Sequence, residues 1–154
     1  MQNAPISLKI EKLAHCQGMP QYASQGAAGL DLCLASETPV TVKAGDRAKL
    51  PTGIKVEIPQ GFEGQVRPRS GLAANYGISL TNCIGTVDCD YRGEVMALII
   101  NHGHEDYTFQ PGDRIAQLVI TPVITVSIQE VDNVGETARG EGGFGSTGKN
   151  LLSV

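Results

Sequence analysis

A chain of 154 residues is long enough to bury a core of its own, and by size it is one domain that needs no disulfide or metal staple. With 41% hydrophobic and 18% charged residues it is too apolar to be disordered, while its longest apolar run, Val95 to Ile100, is far too short to span a membrane. A formal charge of −4 argues against long-range attraction to nucleic acid, so an anionic ligand has to be held by local groups, and the six arginines become the residues to follow.

Met1 to Pro5 lack the charged and apolar regions of a secretory signal, and the cysteines at positions 16, 33, 83 and 89 form no CxxC pair. Reduced thiols in a cytoplasmic protein are the expectation. In chain order, apolar residues recur at period two in Leu8 and Ile10, Val40 and Val42, Ile54 with Val56 and Ile58, Phe62 and Val66, and Val126 with Ile128. Each reads as a half-buried strand. Val95 to Ile100 and Ile115 to Ile120 are apolar on both faces, as in strands covered on both sides within a sandwich or an oligomer. Turns at Lys43–Asp46, Ile58–Gly61 and Gln110–Asp113 separate them. About ten strands so spaced predict an all-β sandwich, jelly roll or barrel, with Leu72 to Tyr76 the one stretch fit for a short helix. Gly45-Asp46-Arg47 recurs as Gly112-Asp113-Arg114, and chance repetition of a good turn is reason enough for it. His102-Gly103-His104 has no third ligand nearby and reads as loop rather than metal site.

After about Asn133 the composition changes. Gly135 to Gly148 holds six glycines in fourteen residues, with Phe144 its only large apolar side chain. Ordering each residue costs roughly 1–2 kcal/mol of backbone entropy, and one buried phenylalanine returns only about 1.5–3 kcal/mol. A folded domain over 1–134 and a flexible arm over 135–154 are therefore expected, the arm ordering on a ligand. Its matches to G-x-G-x-x-G and its near match to a P-loop fail on context, because no helix can follow within Asn150 to Val154. What survives is local: closely spaced N–H groups, the Ser146 and Thr147 hydroxyls and Arg139, all suited to phosphate oxygens.

Four further segments carry chemistry. Ala28-Gly29-Leu30-Asp31-Leu32 sets a carboxylate among apolar residues, which by itself reads best as a strand-edge Asp satisfied by its neighbours. Pro68-Arg69-Ser70-Gly71-Leu72 places a bidentate cation, a hydroxyl and an unhindered N–H at a helix start, where either anion binding or plain N-capping by Ser70 would use them. Asn82 to Gly93 offers an amide for a base edge, a carboxylate able to take a proton from water in Asp88, and an aromatic in Tyr91. It reads as a hairpin in which Asp90 and Gly93 serve the turn. Arg114 and Gln117 lie on one apolar strand.

In this order, with the glycine-rich fifth, these segments resemble the five motifs of the homotrimeric dUTP pyrophosphatases (dUTPases) over Ala28 to Gly148. Thr86 departs from the apolar residue common in the third motif. The resemblance implies a dUTPase-like β jelly roll, or clip barrel, that trimerises about a three-fold axis. The first, second and fourth motifs of a site come from one subunit, the third from a neighbour and the arm from the remaining one.

It further implies hydrolysis of dUTP to dUMP and pyrophosphate, which lowers dUTP and supplies dUMP. Asp88 activates a water and touches the 3′-hydroxyl. Mg2+ is held mainly by the substrate phosphates and, through water, by Asp31, which Arg114 orients. Asn82, Gly85, Thr86, Val87 and Asp88 read uracil, Tyr91 packs under the deoxyribose, and Met96 borders the pocket. Arg69, Ser70, Gly71 and Gln117 hold the α- and β-phosphates. From the arm, Phe144 stacks on the base while Arg139, Gly145, Ser146 and Thr147 close on the γ-phosphate. Two other readings stand beside this one: a dCTP deaminase, whose C4 proton shuttle the Asp88 segment suits less well, and a nucleotide-holding module, to which a carboxylate beside the α-phosphate brings nothing.

Overall fold

The computed structural model describes residues 6–144 and 146. Its regular elements, in chain order, are β1 (Lys9–Lys12), β2 (Gln21–Tyr22), β3 (Leu30–Cys33), β4 (Val40–Val42), β5 (Arg47–Glu57), β6 (Phe62–Arg67), α1 (Ser70–Tyr76), β7 (Ile78–Leu80), β8 (Gly85–Val87), β9 (Glu94–Asn101), β10 (Tyr107–Phe109) and β11 (Arg114–Pro122). Every strand pairing is antiparallel. One sheet runs β1-β5-β9-β7, a second runs β2-β3-β11-β6-β8, and β10 pairs with β4. From β5 to β9 the chain changes sheet at every step. This is the expected all-β jelly roll.

Alternation along the strands makes the core. Leu50, Ile54, Val56, Val95, Ala97 and Ile99 from the first sheet meet Leu32, Val66, Ala116 and Leu118 from the second in one buried cluster. Along β9 burial alternates strictly, leaving Met96, Leu98 and Ile100 half-buried on the outer face. That second apolar face thus remains partly uncovered within one chain. Buried Asn101 locks the end of β9 by donating to Val42 O at 3.0 Å and Glu105 O at 2.8 Å while accepting from Gly103 N at 2.9 Å. Among the described residues no helix is long and apolar enough to cross a membrane.

The two Gly-Asp-Arg turns are alike in structure. Gly45 and Gly112 take φ of +81° and +83°, a region glycine enters freely, and each turn opens a long strand, β5 in one sheet and β11 in the other.

Two expectations are corrected. Val126 and Ile128 form no strand: the last described strand ends at Pro122, and these side chains are 72% and 93% exposed. Their alternation is real, but a strand exists only when its backbone finds a partner, and among the described residues this stretch pairs with nothing in its own chain. The segment Asn82 to Gly93 is not a hairpin either. β8 pairs with β6 while β9 pairs with β5 and β7, so the segment is an arch between the sheets.

Candidate active site

The arch encloses a cavity of about 190 Å³ between β8 and β9. Seven residues singled out from the sequence border it: Asn82, Gly85, Thr86, Val87, Asp88, Tyr91 and Met96. Val66 and Val95 supply apolar floor. Two glycines pack closely here. A Cβ on Gly85 would lie 3.0 Å from the Asn82 amide nitrogen and press on that amide. A Cβ on Gly93 would come 2.5 Å from Cζ of Tyr91, because the ring lies across this residue. Gly93, at a bend of the chain, thus also leaves room for the Tyr91 ring. The Tyr91 phenol donates to Glu94 O at 3.1 Å and its N–H to Asp88 O at 3.1 Å, closing the turn that carries the exposed Asp88 carboxylate.

A second cluster is built on β3 and β11. Arg114 Nη1 donates to Asp31 Oδ2 at 2.9 Å, Arg69 Nε stands 3.3 Å from Asp31 Oδ1, and Arg69 Nη1 donates to Arg114 O at 3.0 Å. Gln117 sits directly opposite Asp31 in the ladder and donates to Pro68 O at 3.0 Å. Gly29 leaves room for it, since a Cβ there would lie 3.1 Å from Cβ of Gln117. Burial raises the pKa of the neighbouring Cys33 thiol, and the Asp31 carboxylate raises it further.

Arg69, not Ser70, occupies the N-cap of α1, and no side chain caps the helix. The N-capping reading of Ser70 therefore falls. Ser70 and Gly71 are both exposed at its first turn. None of Asp31, Arg69, Ser70, Gly71, Arg114 or Gln117 borders the arch cavity. Within one chain the two clusters do not share that cavity.

In the arm, Arg139 Nε donates to Gly142 O at 2.7 Å, Gly140 N to Thr137 O at 3.0 Å and Ser146 N to Gly143 O at 3.0 Å. Among the described residues these bonds stay within the arm, and Phe144 is fully exposed. Gly145 and Thr147 lie outside the described residues.

The sequence reading missed Glu94, which also borders the cavity. Its Oε1 accepts from His15 Nε2 and from Gly53 N, both at 2.8 Å. His15 lies 79 positions away, and no local pattern announces such a partner.

The family model described as dUTPase matches residues 17–148. Two deoxyuridine 5′-triphosphate nucleotidohydrolases are close in sequence: that of Rhizobium etli is 53% identical over 150 residues, covering 95% of this chain and 96% of its own. That of Syntrophotalea carbinolica is 52% identical over 143 residues, covering 93% and 97%. In structure the chain resembles the dUTPase of Staphylococcus bacteriophage 80alpha, solved as a G164S mutant with dUpNHpp, at a TM-score of 0.83 and 26% identity over 93% of this chain and 99% of that one. A match along nearly the whole chain, at half identity, places this protein in the dUTPase family.

Proposed function

We propose that the protein hydrolyses dUTP to dUMP and pyrophosphate at sites shared between the three copies of a homotrimer. One observation carries this most: the residues fit to read a base and to activate a water gather in a single cavity, and the residues fit to hold phosphates gather elsewhere on the same chain. A site needing both is completed by a neighbouring copy. The half-buried outer face of β9 and the exposed apolar residues after Pro122 support such an assembly.

In this reading Asn82 and the β8 backbone pair with the uracil edge, and the close fit leaves no room for a 5-methyl group. The Tyr91 ring lies under the deoxyribose and excludes a 2′-hydroxyl. Met96 borders the same pocket. Asp88 accepts the proton of a water that attacks the α-phosphorus in line, and it contacts the 3′-hydroxyl. As the new P–O bond forms, the bond from the α-phosphorus to the bridging oxygen breaks and pyrophosphate leaves. A single carboxylate is only a modest general base. Positioning and charge neutralisation therefore supply most of the acceleration.

Arg69, Ser70, Gly71 and Gln117 of a second copy hold the α- and β-phosphates. The arm, residues 135–154 beyond a folded 1–134, brings Phe144 onto the base and Arg139, Gly145, Ser146 and Thr147 onto the γ-phosphate. Among the described residues no cluster of three His, Cys, Asp or Glu could hold a metal alone, and in this reading the triphosphate and water supply most ligands of Mg2+. Asp31 fits the remaining part. Each of its oxygens meets one guanidinium, leaving further lone pairs, and its side chain is 17% exposed, within reach of a bridging water. Mg2+, when bound, offsets the charge of the phosphates. The four free cysteines support a cytoplasmic, reducing setting.

Pyrophosphate release measured across dUTP, dTTP, dCTP and UTP with magnesium tests the proposal. Strong preference for dUTP is expected, and equal turnover of UTP would remove the role given to Tyr91.

A further inference from the structure

Glu94 borders the arch cavity without a task in the chemistry above. Its carboxylate accepts hydrogen bonds from Gly53 N and His15 Nε2, each at 2.8 Å, and its main-chain carbonyl accepts the Tyr91 phenol at 3.1 Å. One residue thereby ties the nucleoside pocket to two distant segments.

Those bonds stand where the ladder breaks. β5 pairs with β9 as far as Pro51 opposite Met96 and resumes at Lys55 opposite Glu94, so three residues of β5 face Val95 alone. Side chains fill the gap: Thr52 Oγ1 donates to Val95 O at 2.6 Å, and Glu94 takes the Gly53 N–H. Gly53 has left-handed backbone at φ +70°, and a Cβ there would lie 2.5 Å from Cα of Cys16, so the bulge admits glycine only. A rigid bulge of this kind re-aims what is attached to it. Here it holds the start of β9, and with it the carbonyl that receives Tyr91.

We infer that Glu94 is a positioning residue for sugar discrimination: its carboxylate, clamped by the Gly53 bulge and His15, fixes the carbonyl that seats the Tyr91 ring against the 2′ side of the sugar. This rests on the reading that Tyr91 excludes a 2′-hydroxyl. A role confined to stability would lower Tm and leave the preference for dUTP over UTP where it was.

The test compares kcat/KM for dUTP and UTP, with Tm, in full-length wild type, Glu94→Ala, Glu94→Gln and Tyr91→Ala. In Glu94→Ala the dUTP-to-UTP ratio falls about fivefold or more, the scale of one lost hydrogen bond. Glu94→Gln keeps an acceptor for Gly53 N–H and restores most of the ratio. Should Glu94→Ala not fold, Glu94→Asp replaces it, being one methylene too short to reach Gly53 from the same backbone. A ratio unchanged in Glu94→Ala but lowered in Tyr91→Ala overturns the inference and spares Tyr91. An equally low ratio in Glu94→Gln overturns it too, because hydrogen-bond acceptance is then not what counts. A ratio unmoved by Tyr91→Ala overturns the reading of Tyr91, and the inference with it.

Discussion

Asp31 and Arg114 meet diagonally across the β3–β11 ladder, Nη1 to Oδ2 at 2.9 Å, although the residue directly opposite Asp31 is Gln117. The register shifts between Arg114 and Ala116, and such a bulge turns the side chain before it toward a neighbour it would otherwise miss. Since Arg114 is half exposed, the pair adds at most about 1 kcal/mol to stability. In the proposed mechanism its value lies in orientation. Asp31→Asn is therefore expected to leave Tm nearly unchanged while raising the magnesium needed for half-maximal dUTP hydrolysis. A magnesium titration alongside a thermal melt checks both, and an unaltered titration would leave Asp31 a purely structural residue.

Asp88→Asn keeps the size and hydrogen bonding of the side chain but not its basicity. Turnover should fall at least ~100-fold, the scale of a lost general base, with dUTP affinity retained. Single-turnover kinetics and equilibrium binding separate the two, and unchanged turnover would move the base elsewhere.

Two truncations dissect the C-terminal stretch. Ending the chain at Gly135 removes Arg139, Phe144 and Ser146, whose described hydrogen bonds stay within the arm, so Tm and assembly should persist while catalysis collapses. Base stacking accounts for ~1–3 kcal/mol of that loss. Ending it at Pro122 also removes Ile124, Val126, Ile128 and Val131, which are exposed in a single chain, and should dissociate the proposed trimer. Sedimentation distinguishes the cases. A dissociated or unfolded Gly135 truncation, or a fully active one, would refute the ligand-gated arm.

The thiols offer a probe of the arch. Cys83 is exposed, with left-handed backbone at φ +58°, next to Asn82, and should react first with a maleimide. Bound dUpNHpp should slow that reaction. Cys33 is partly buried, with its pKa raised by burial and by Asp31, so less of it is thiolate and it should react last, speeding up as pH rises. Mass spectrometry of modified peptides gives the order, and early labelling of Cys33 would contradict its burial.

Period-two patterns located most strands because each had a partner within reach: Val40 and Val42 pair with β10, and Phe62 and Val66 with β11. The same pattern misled at Val126 and Ile128, since alternation reports what a strand would bury and not who pairs with it. The arch was legible as a set of site residues but not as a shape, because sheet membership depends on contacts far along the chain. Gly93 reads as a turn glycine in sequence, and only the folded chain lays the Tyr91 ring across it. Glu94 stayed hidden for want of any local sign of His15 and Gly53.

In the proposed trimer the separation of the arch from the Asp31–Arg69 cluster makes the site a property of neighbours, so two inactive variants should revive each other. An Asp88→Asn copy still offers its arginines, and an Arg69→Ala copy still offers its carboxylate. Any cyclic trimer containing both kinds has one site built from the intact half of each. Refolded together at equal amounts with random assembly, the mixture should recover about a quarter of wild-type activity. Were base and phosphates held by a single chain, mixing would recover nothing.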